Sequence, residues 1–441
     1  MRVISLILLL TLGALPVRVA ASADFTIRDE PSANEFVGIG AQFNGYLYCP
    51  PNTAGGGVTE KNVADLERKI VDLQPQHVRV FVEIQPDSRQ GDPVVKASVI
   101  RTIALAQRAG ATVNCTLWHG PYPDLNLAAQ QMADMMADFI RNHHLTAIKY
   151  VTLQNEPNST QMTMERYNAL YRAFHDAMKR NGLRDQIKIV GGDLLAIKQP
   201  EWFHNLADNL ADVCDGYSVH MYSDYWDEEK LIKRRTEIAA LAASLPRDRQ
   251  RPIYLTEFGF RGHRTDKEEP GKDDHNVIVT DTPMYALTCA WRMIDAIKNG
   301  FVALVYWDAY DAWYDREPMQ YGLLGQAKDG WPIRPHYRLM WLFTHSVKPG
   351  WHIVPVEGSL DGVLVTAMRS PQGEQTFFAV NRLDQPALFR VHSNVPRRRH
   401  YYGWNLRGNG ALSRDDGPDH GVVTLPPRSV IAITTTELKL P

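Results

Sequence analysis

The chain has 441 residues, 44% of them hydrophobic and 22% charged, with a formal net charge of −2. This balance excludes an intrinsically disordered chain and offers no basic surface for nucleic acid or an anionic membrane. The length suits two domains, or a large one and a small one, and ten Trp with eighteen Tyr can both fill a core and line a ligand groove.

Residues 1–23 read as a secretory leader. Arg2 supplies a basic start, Val3 to Leu15 an apolar run, and Ala21-Ser22-Ala23 a small-x-small cleavage site. The run is shorter than the roughly 20 apolar residues that cross a bilayer. A secreted or periplasmic protein, free of the membrane once cleaved, is expected. Cys49, Cys115, Cys214 and Cys289 have no metal-binding or Cys-x-x-Cys spacing, so buried thiols and a single bridge both stay open. Two glycosylation sequons begin at Asn114 and Asn158; the first falls inside a strand pattern and is discounted.

From residue 37 the chain repeats a short apolar strand, a loop and an amphipathic helix. The strands are predicted at Val37–Phe43, His77–Glu83, Ala111–His119, Ile148–Glu156, Ile187–Asp193, Asp215–Tyr222, Pro252–Phe260 and Phe301–Asp308. Apolar runs of this length suit parallel strands buried on both faces. Between the fourth and fifth, Tyr167, Leu170, Tyr171, Phe174 and Met178 recur at helical spacing. Helix stops are predicted at Gly110, Gly182 and Gly300, glycine being the usual residue just past a helix end. Eight strands alternating with helices predict a (β/α)8 barrel over residues 24–345. The alternative, a doubly wound open sheet, lacks its glycine-rich fingerprint after the first strand. Residues 346–441 carry short strands and no helix, and predict a small antiparallel β-sandwich. The mature N-terminus, "DFTIRD", is a candidate extra strand for it. The basic run Arg397 to His400 lies at a turn and reads as solvated.

Parallel barrels place their chemistry at the carboxyl ends of the strands. Those ends carry Arg79 and Glu83, Trp118 and His119, Asn155 and Glu156, His220 and Tyr222, Glu257, and Trp307 and Asp308. Glu83 reads as the structural partner of a basic residue. Glu156 and Glu257, on strands four and seven, would face each other across the barrel mouth. Glycoside cleavage needs such a pair: one acid protonates the leaving oxygen, and the other attacks the anomeric carbon or activates water. The segments 261–276 and 308–322 are long loops on the same face, candidates for walls or a lid.

These motifs resemble glycoside hydrolase clan A, the retaining barrel enzymes with catalytic glutamates after strands four and seven. "QNEPN" resembles the clan's acid/base motif, which implies Glu156 as acid/base. "YLTEFGF" resembles its nucleophile strand, which implies Glu257 as nucleophile. The resemblance further implies that Asn155 bonds a sugar 2-hydroxyl, that Arg79 and Tyr222 lie beside the nucleophile, and that His220 contacts the site. Trp307 matches the aromatic platform under the sugar, and Trp118-His119 an aromatic–histidine pair of some families. The trailing strands look like the sandwich appended in families such as 30, 39, 51 and 79, which family 5 catalytic domains often lack, and the choice between a family 39-like and a family 5/30-like enzyme stays open. The resemblance implies a carbohydrate substrate, no cofactor and no metal. Two alternatives use the same residues: a catalytically inactive glycan-binding barrel, and a transglycosylase.

Overall fold

The computed structural model describes residues 22–83, 92–118, 122–195, 200–223, 228–260, 279–314, 320–395, 398–408, 410–415, 417 and 421–441. The predicted leader, but for Ser22 and Ala23, lies outside them, as does the charged segment 261–276. After the first strand, β1 (Ser22–Ile27), eight parallel strands close a barrel: β2 (Gly38–Phe43), β3 (His77–Glu83), β4 (Thr112–Trp118), β5 (Ile148–Leu153), β6 (Lys188–Leu195), β7 (Gly216–Ser223), β8 (Ile253–Phe260) and β9 (Phe301–Tyr306). β9 pairs with β2 to complete the ring. Every predicted barrel strand falls on one of these.

The helices α1 (Glu60–Leu73), α2 (Pro93–Arg108), α3 (Leu125–Arg141), α4 (Met164–Arg180), α5 (Pro200–Asn209), α6 (Glu228–Ser244), α7 (Pro283–Lys298) and α8 (Pro335–Ser346) lie between and after the strands. The starts of α1, α2, α3, α4 and α7 are set by short polar side chains that accept otherwise unpaired N–H groups: Thr59 with Asn62 in a reciprocal box, Asp92, Asp124, Thr163 and Thr282. α2, α4 and α7 end one residue short of the predicted glycines plus a cap; Gly110 and Gly300 take φ of 81° and 84°, a left-handed turn that glycine adopts without strain. The predicted face of α4 is fully buried. Among the described residues no helix is long and apolar enough to cross a membrane.

Side chains outside the barrel sheet are apolar and pack against the helices in one large core. Inside, the residue types differ. The lower end is plugged by rings from three strands, His77, Tyr150 and Tyr254, with centroids 4.9 to 6.3 Å apart. Above them the interior is polar: Gln42, Arg79, Asn114, Thr116, Thr152, Asp193, Ser218 and Thr256 are all fully buried. Two bulges admit part of this row. β7 pairs Val219 with Leu255 but His220 with Glu257, so Thr256 is an extra residue on β8. In β6 the register jumps between Gly191 and Leu194. A bulge breaks strict alternation and lets consecutive residues face the same side.

The remaining strands are β10 (His352–Val354), β11 (Val356–Glu357), β12 (Val363–Arg369), β13 (Gln375–Asn381), β14 (Ala387–His392), β15 (His400–Asn405), β16 (Leu412–Asp415), β17 (Val423–Leu425) and β18 (Ser429–Thr434). They form a six-stranded sheet, β10-β12-β13-β18-β15-β16, and a four-stranded sheet, β11-β1-β14-β17. One departure from an all-antiparallel sandwich is that β1 runs parallel to β14. No hairpin dictates its direction, because it arrives from the far end of the chain. Phe25, Val365, Phe377, Phe389 and Ile433 fill the space between the sheets. The outer face of the six-stranded sheet joins the barrel's own core: Phe378 stacks on Phe343 of α8 at 4.3 Å, and Met368, Tyr402, Trp404 and Val430 belong to the same cluster as the barrel helices. All four cysteines are free and buried.

Candidate active site

The strand-four motif is shaped by its backbone. β5 ends at Leu153, three residues before the predicted end at Glu156. Gln154 and Glu156 have φ of 68° and 46°, so neither continues an extended strand, and Pro157 opens a short 3-10 turn. The N–H of Glu156 donates to the main-chain carbonyl of Asp193 at 3.0 Å. Asn158 is buried and exchanges two hydrogen bonds of 2.9 Å with the Leu195 backbone. Its amide is occupied in holding this turn, and Asn114 is likewise buried, paired with Thr152.

Arg79 is the hub. Its side chain is fully buried and meets five acceptors: Thr116 Oγ1 at 2.7 Å, Gln42 Oε1 at 3.2 Å, Glu257 Oε1 at 2.5 Å, Asn155 Oδ1 at 2.7 Å and Asp193 Oδ2 at 2.6 Å. A guanidinium carries five N–H donors in a rigid fork, so this set uses its full capacity. Arg79 also lies over the Phe81 ring, 4.5 Å from its centroid. Glu257 takes a second hydrogen bond from the Tyr222 hydroxyl at 2.9 Å. Burial, with the charge of Glu257 beside it, pushes the Tyr222 phenol well up, so it stays a donor. The bonding of Asn155 Oδ1 to Arg79 leaves the amide NH2 as that side chain's donor.

His220 stands between the two glutamates. Its Nδ1 is 3.0 Å from Glu156 Oε1 and 3.5 Å from Glu257 Oε2. Its Nε2 is 3.5 Å from Asp193 Oδ1, an ion-pair separation rather than a hydrogen bond. Burial alone would lower its pKa, but Glu257, Asp193 and Glu156 outweigh that and raise it to about 9. His220 is thus an imidazolium near neutral pH. Glu156, His220 and Glu257 present three ligand-type atoms within 4.8 Å of one another. Arg79 already supplies positive charge beside them.

The predicted residues Arg79, Asn155, Glu156, His220, Tyr222 and Glu257 are therefore in one contact network. Trp307 is at its edge: its ring stacks on Tyr314 at 5.3 Å and 17°, and tilts against Phe81 at 5.7 Å. The Trp307–Asp308 peptide is cis. The loop beyond is tied down by Asn52, which exchanges hydrogen bonds of 2.7 and 2.8 Å with the Trp313 backbone, and by a bidentate pair of Arg334 with Asp311. Trp118 ends β4, but its side chain lies outside the described residues, as does His119. Glu83 accepts the Tyr46 hydroxyl.

Sequence reasoning passed over Asp193. It closed the predicted fifth strand, a carboxylate at a barrel-strand end directly after two glycines, and that was the available signal. Gly192 has φ of 130°, and a Cβ there would meet the Ser218 carbonyl at 2.1 Å. Only glycine fits, and the bulge it permits turns Asp193, at φ 51°, into the barrel.

Comparison with known proteins bears on the fold. No protein-family model matches the chain, and no curated protein matches it in sequence. Solved structures do match. The catalytic domain of the family 30 xylanase C from Talaromyces cellulolyticus superposes with a TM-score of 0.71 at 13% identity, over 94% of this chain and 100% of that one. The family 51 arabinofuranosidase from Xanthomonas axonopodis pv. citri gives 0.69 at 13%, over 94% and 99%. A family 39 β-xylosidase from Caulobacter crescentus gives 0.59 at 14%, over 94% and 99%. The chain thus has the fold of clan A glycoside hydrolases, barrel and sandwich together. At these identities the likeness is one of fold.

Proposed function

We propose that the protein is a retaining glycoside hydrolase, secreted or periplasmic, that cleaves O-glycosidic bonds of an oligo- or polysaccharide without metal or cofactor. The observation that carries this reading is the pair of glutamates, whose carboxylate oxygens approach within 4.8 Å. Double displacement uses carboxyl groups about 5–5.5 Å apart, whereas inversion needs about 6.5–9.5 Å to admit a water. The two environments also differ as the two roles require. The Glu257 side chain is 7% exposed and bonded to Arg79 and Tyr222, while that of Glu156 is 24% exposed.

Glu257, ionised, attacks the anomeric carbon as the glycosidic C–O bond breaks, and Glu156 gives its proton to the departing oxygen. In the second step Glu156 takes a proton from water, whose oxygen attacks the anomeric carbon and releases Glu257. Arg79 and Tyr222 aim the nucleophile through charge-assisted hydrogen bonds. Asn155 offers its NH2 to the sugar 2-hydroxyl, and Trp307 gives a ring face for the sugar's C–H groups.

A panel of aryl glycosides and polysaccharides, with proton NMR of the first-formed anomer, tests the reading. Net retention is expected, together with a loss of at least about 10⁴-fold in kcat for Glu257→Gln and labelling of Glu257 by a fluorinated glycosyl reagent. Binding of glycans without hydrolysis of any would replace it by the inactive-barrel reading. Products dominated by transfer to an added sugar acceptor would make the protein a transglycosylase.

A further inference from the structure

The basic run Arg397 to His400, expected to be solvated, is only partly so. Residues 390–400 carry four arginines and two histidines and no acidic residue, in a chain whose net charge is −2. Arg397 lies outside the described residues and Arg398 is exposed, but Arg399 is half-buried. Its Nη1 donates to the Val391 carbonyl at 2.8 Å. A side chain just ahead of β15, in the six-stranded sheet, thus reaches across to β14 in the four-stranded one.

The reason is a gap in the four-stranded sheet. β1 runs beside β14 as far as His392, whereas β17, on the other side, pairs with it only from Ala387 to Phe389. Beyond Phe389 that side of β14 carries no strand among the described residues, and a cavity of about 250 Å³ opens there. Arg390 and His392 of β14 and Arg399 line it, together with Tyr401 of β15, Val423 of β17 and Ile433 of β18. Val423 and Ile433 belong to the core between the sheets, so the cavity is apolar inside and cationic at its rim. No barrel residue lines it. His392 already holds Asp24 at 2.8 Å. Among the described residues neither Arg390 nor Arg399 has a carboxylate partner.

Two guanidinium forks beside one cavity suit a carboxylate, whose planar oxygens match their geometry. The floor asks for more than an inorganic ion, because a tyrosine ring and aliphatic side chains gain only from C–H groups placed on them. The volume lies just under the roughly 300–1,000 Å³ usual for ligand pockets, room for a single ring rather than a long alkyl chain. A compact ring with C–H faces and one carboxylate is a uronic acid. We propose that the sandwich carries a binding site for an acidic sugar, a hexuronate residue of a polysaccharide, with its carboxylate on Arg390 and Arg399 and its ring against Tyr401. The binding does not rest on the glycosidase reading; its consequence does. A polymer held there is tethered to the same molecule as the barrel mouth, which raises its effective concentration at the second site.

The test uses the full chain carrying Glu257→Gln, so that no probe is cleaved. Sodium glucuronate and tetragalacturonate are titrated in beside glucose, cellotetraose and sodium sulfate, and the arginine Nε–H NMR signals are followed, assigned with Arg390→Gln and Arg399→Gln. Glucuronate is expected to bind with a millimolar Kd and tetragalacturonate at least as tightly, and each arginine variant should weaken both by at least about tenfold. Glucose and cellotetraose should leave the signals unmoved. Absence of uronate binding overturns the proposal, and so does binding that persists in both variants, which would place the sugar elsewhere. Equal shifts with the neutral sugars, or with sulfate at the same concentration, also overturn it, the latter leaving a site for inorganic anions only. If Arg399→Gln, which loses the bond to Val391, does not fold, as judged by a thermal melt, the exposed Arg390→Gln decides alone. If the wild type cleaves no glycoside, the functional reading falls, while the uronate titration still decides the site.

Discussion

At the scale of single residues, the interior is a balance of groups that burial drives in opposite directions. His220 is held protonated, its pKa raised to about 9 from an unfolded value of 6.5. Its contribution to stability is complete below pH 6.5 and is lost as the pH rises toward 9, because over that window the folded chain binds a proton that the unfolded chain does not. His77 and His336 behave in the opposite sense. Burial pushes both down to about 3, so their contribution is present above pH 6.5 and is lost as the pH falls toward 3. Thermal melts across pH 3 to 10 should therefore peak near pH 6–7. His220→Gln should flatten the alkaline side, removing a decline worth at most roughly 3 kcal/mol; an unchanged alkaline slope would show that His220 is not protonated in the native state. Residue by residue, the motifs were readable from sequence because Glu156 follows an apolar strand and Arg79 and Glu257 stand within such strands. Asp193 was not, since its inward orientation depends on a bulge rather than on alternation.

At the scale of elements, β6 and β8 do the positioning. On β8 the extra residue puts Thr256 against Asp193 and Glu257 against Arg79, where alternation would have sent one of them into the outer core. On β6 the same service depends on Gly192. Gly192→Ala is expected to lose at least about 3 kcal/mol of stability through the clash with Ser218, and what folds should have far lower kcat, because Asp193 is displaced. Gly110→Ala is the control: it also has positive φ, but no atom lies within 4 Å of the added Cβ. That change should cost about 1–2 kcal/mol and leave kcat alone. Equal kcat loss in the two would remove the claim that the bulge, rather than general stability, positions the site. The apolar runs located all eight strands, but Thr, Ser and Asn inside those runs hid how polar the barrel lumen is, and register shifts leave no mark in a run of Val and Ile.

At the scale of the whole molecule, the barrel helices and the six-stranded sheet share one core. The stacking of Phe378 on Phe343, the bond from Thr376 Oγ1 to the Ser346 carbonyl at 2.6 Å and Arg382 over the Trp291 ring join the six-stranded sheet to α7 and α8. A chain cut after residue 346 would expose the apolar flanks of both helices. It should be insoluble, or melt more than 10 °C below the full chain. A soluble fragment with the full chain's melting temperature would mean that the barrel is an independent unit. Composition shifts showed where the strands change character, yet they say nothing about which face of a sheet is buried against what.

The parallel partnership of β1 and β14 also has a meaning in time. Asp24 and His392, which meet across it, are 368 residues apart. The first strand must therefore wait for its parallel partner until about nine-tenths of the polypeptide has been made. The sheet it belongs to cannot close on a nascent chain. For the exported protein proposed above this delay is an advantage, since a polypeptide threaded through a narrow pore has to reach the far side before it locks. The last segments to emerge are the ones that fasten the first.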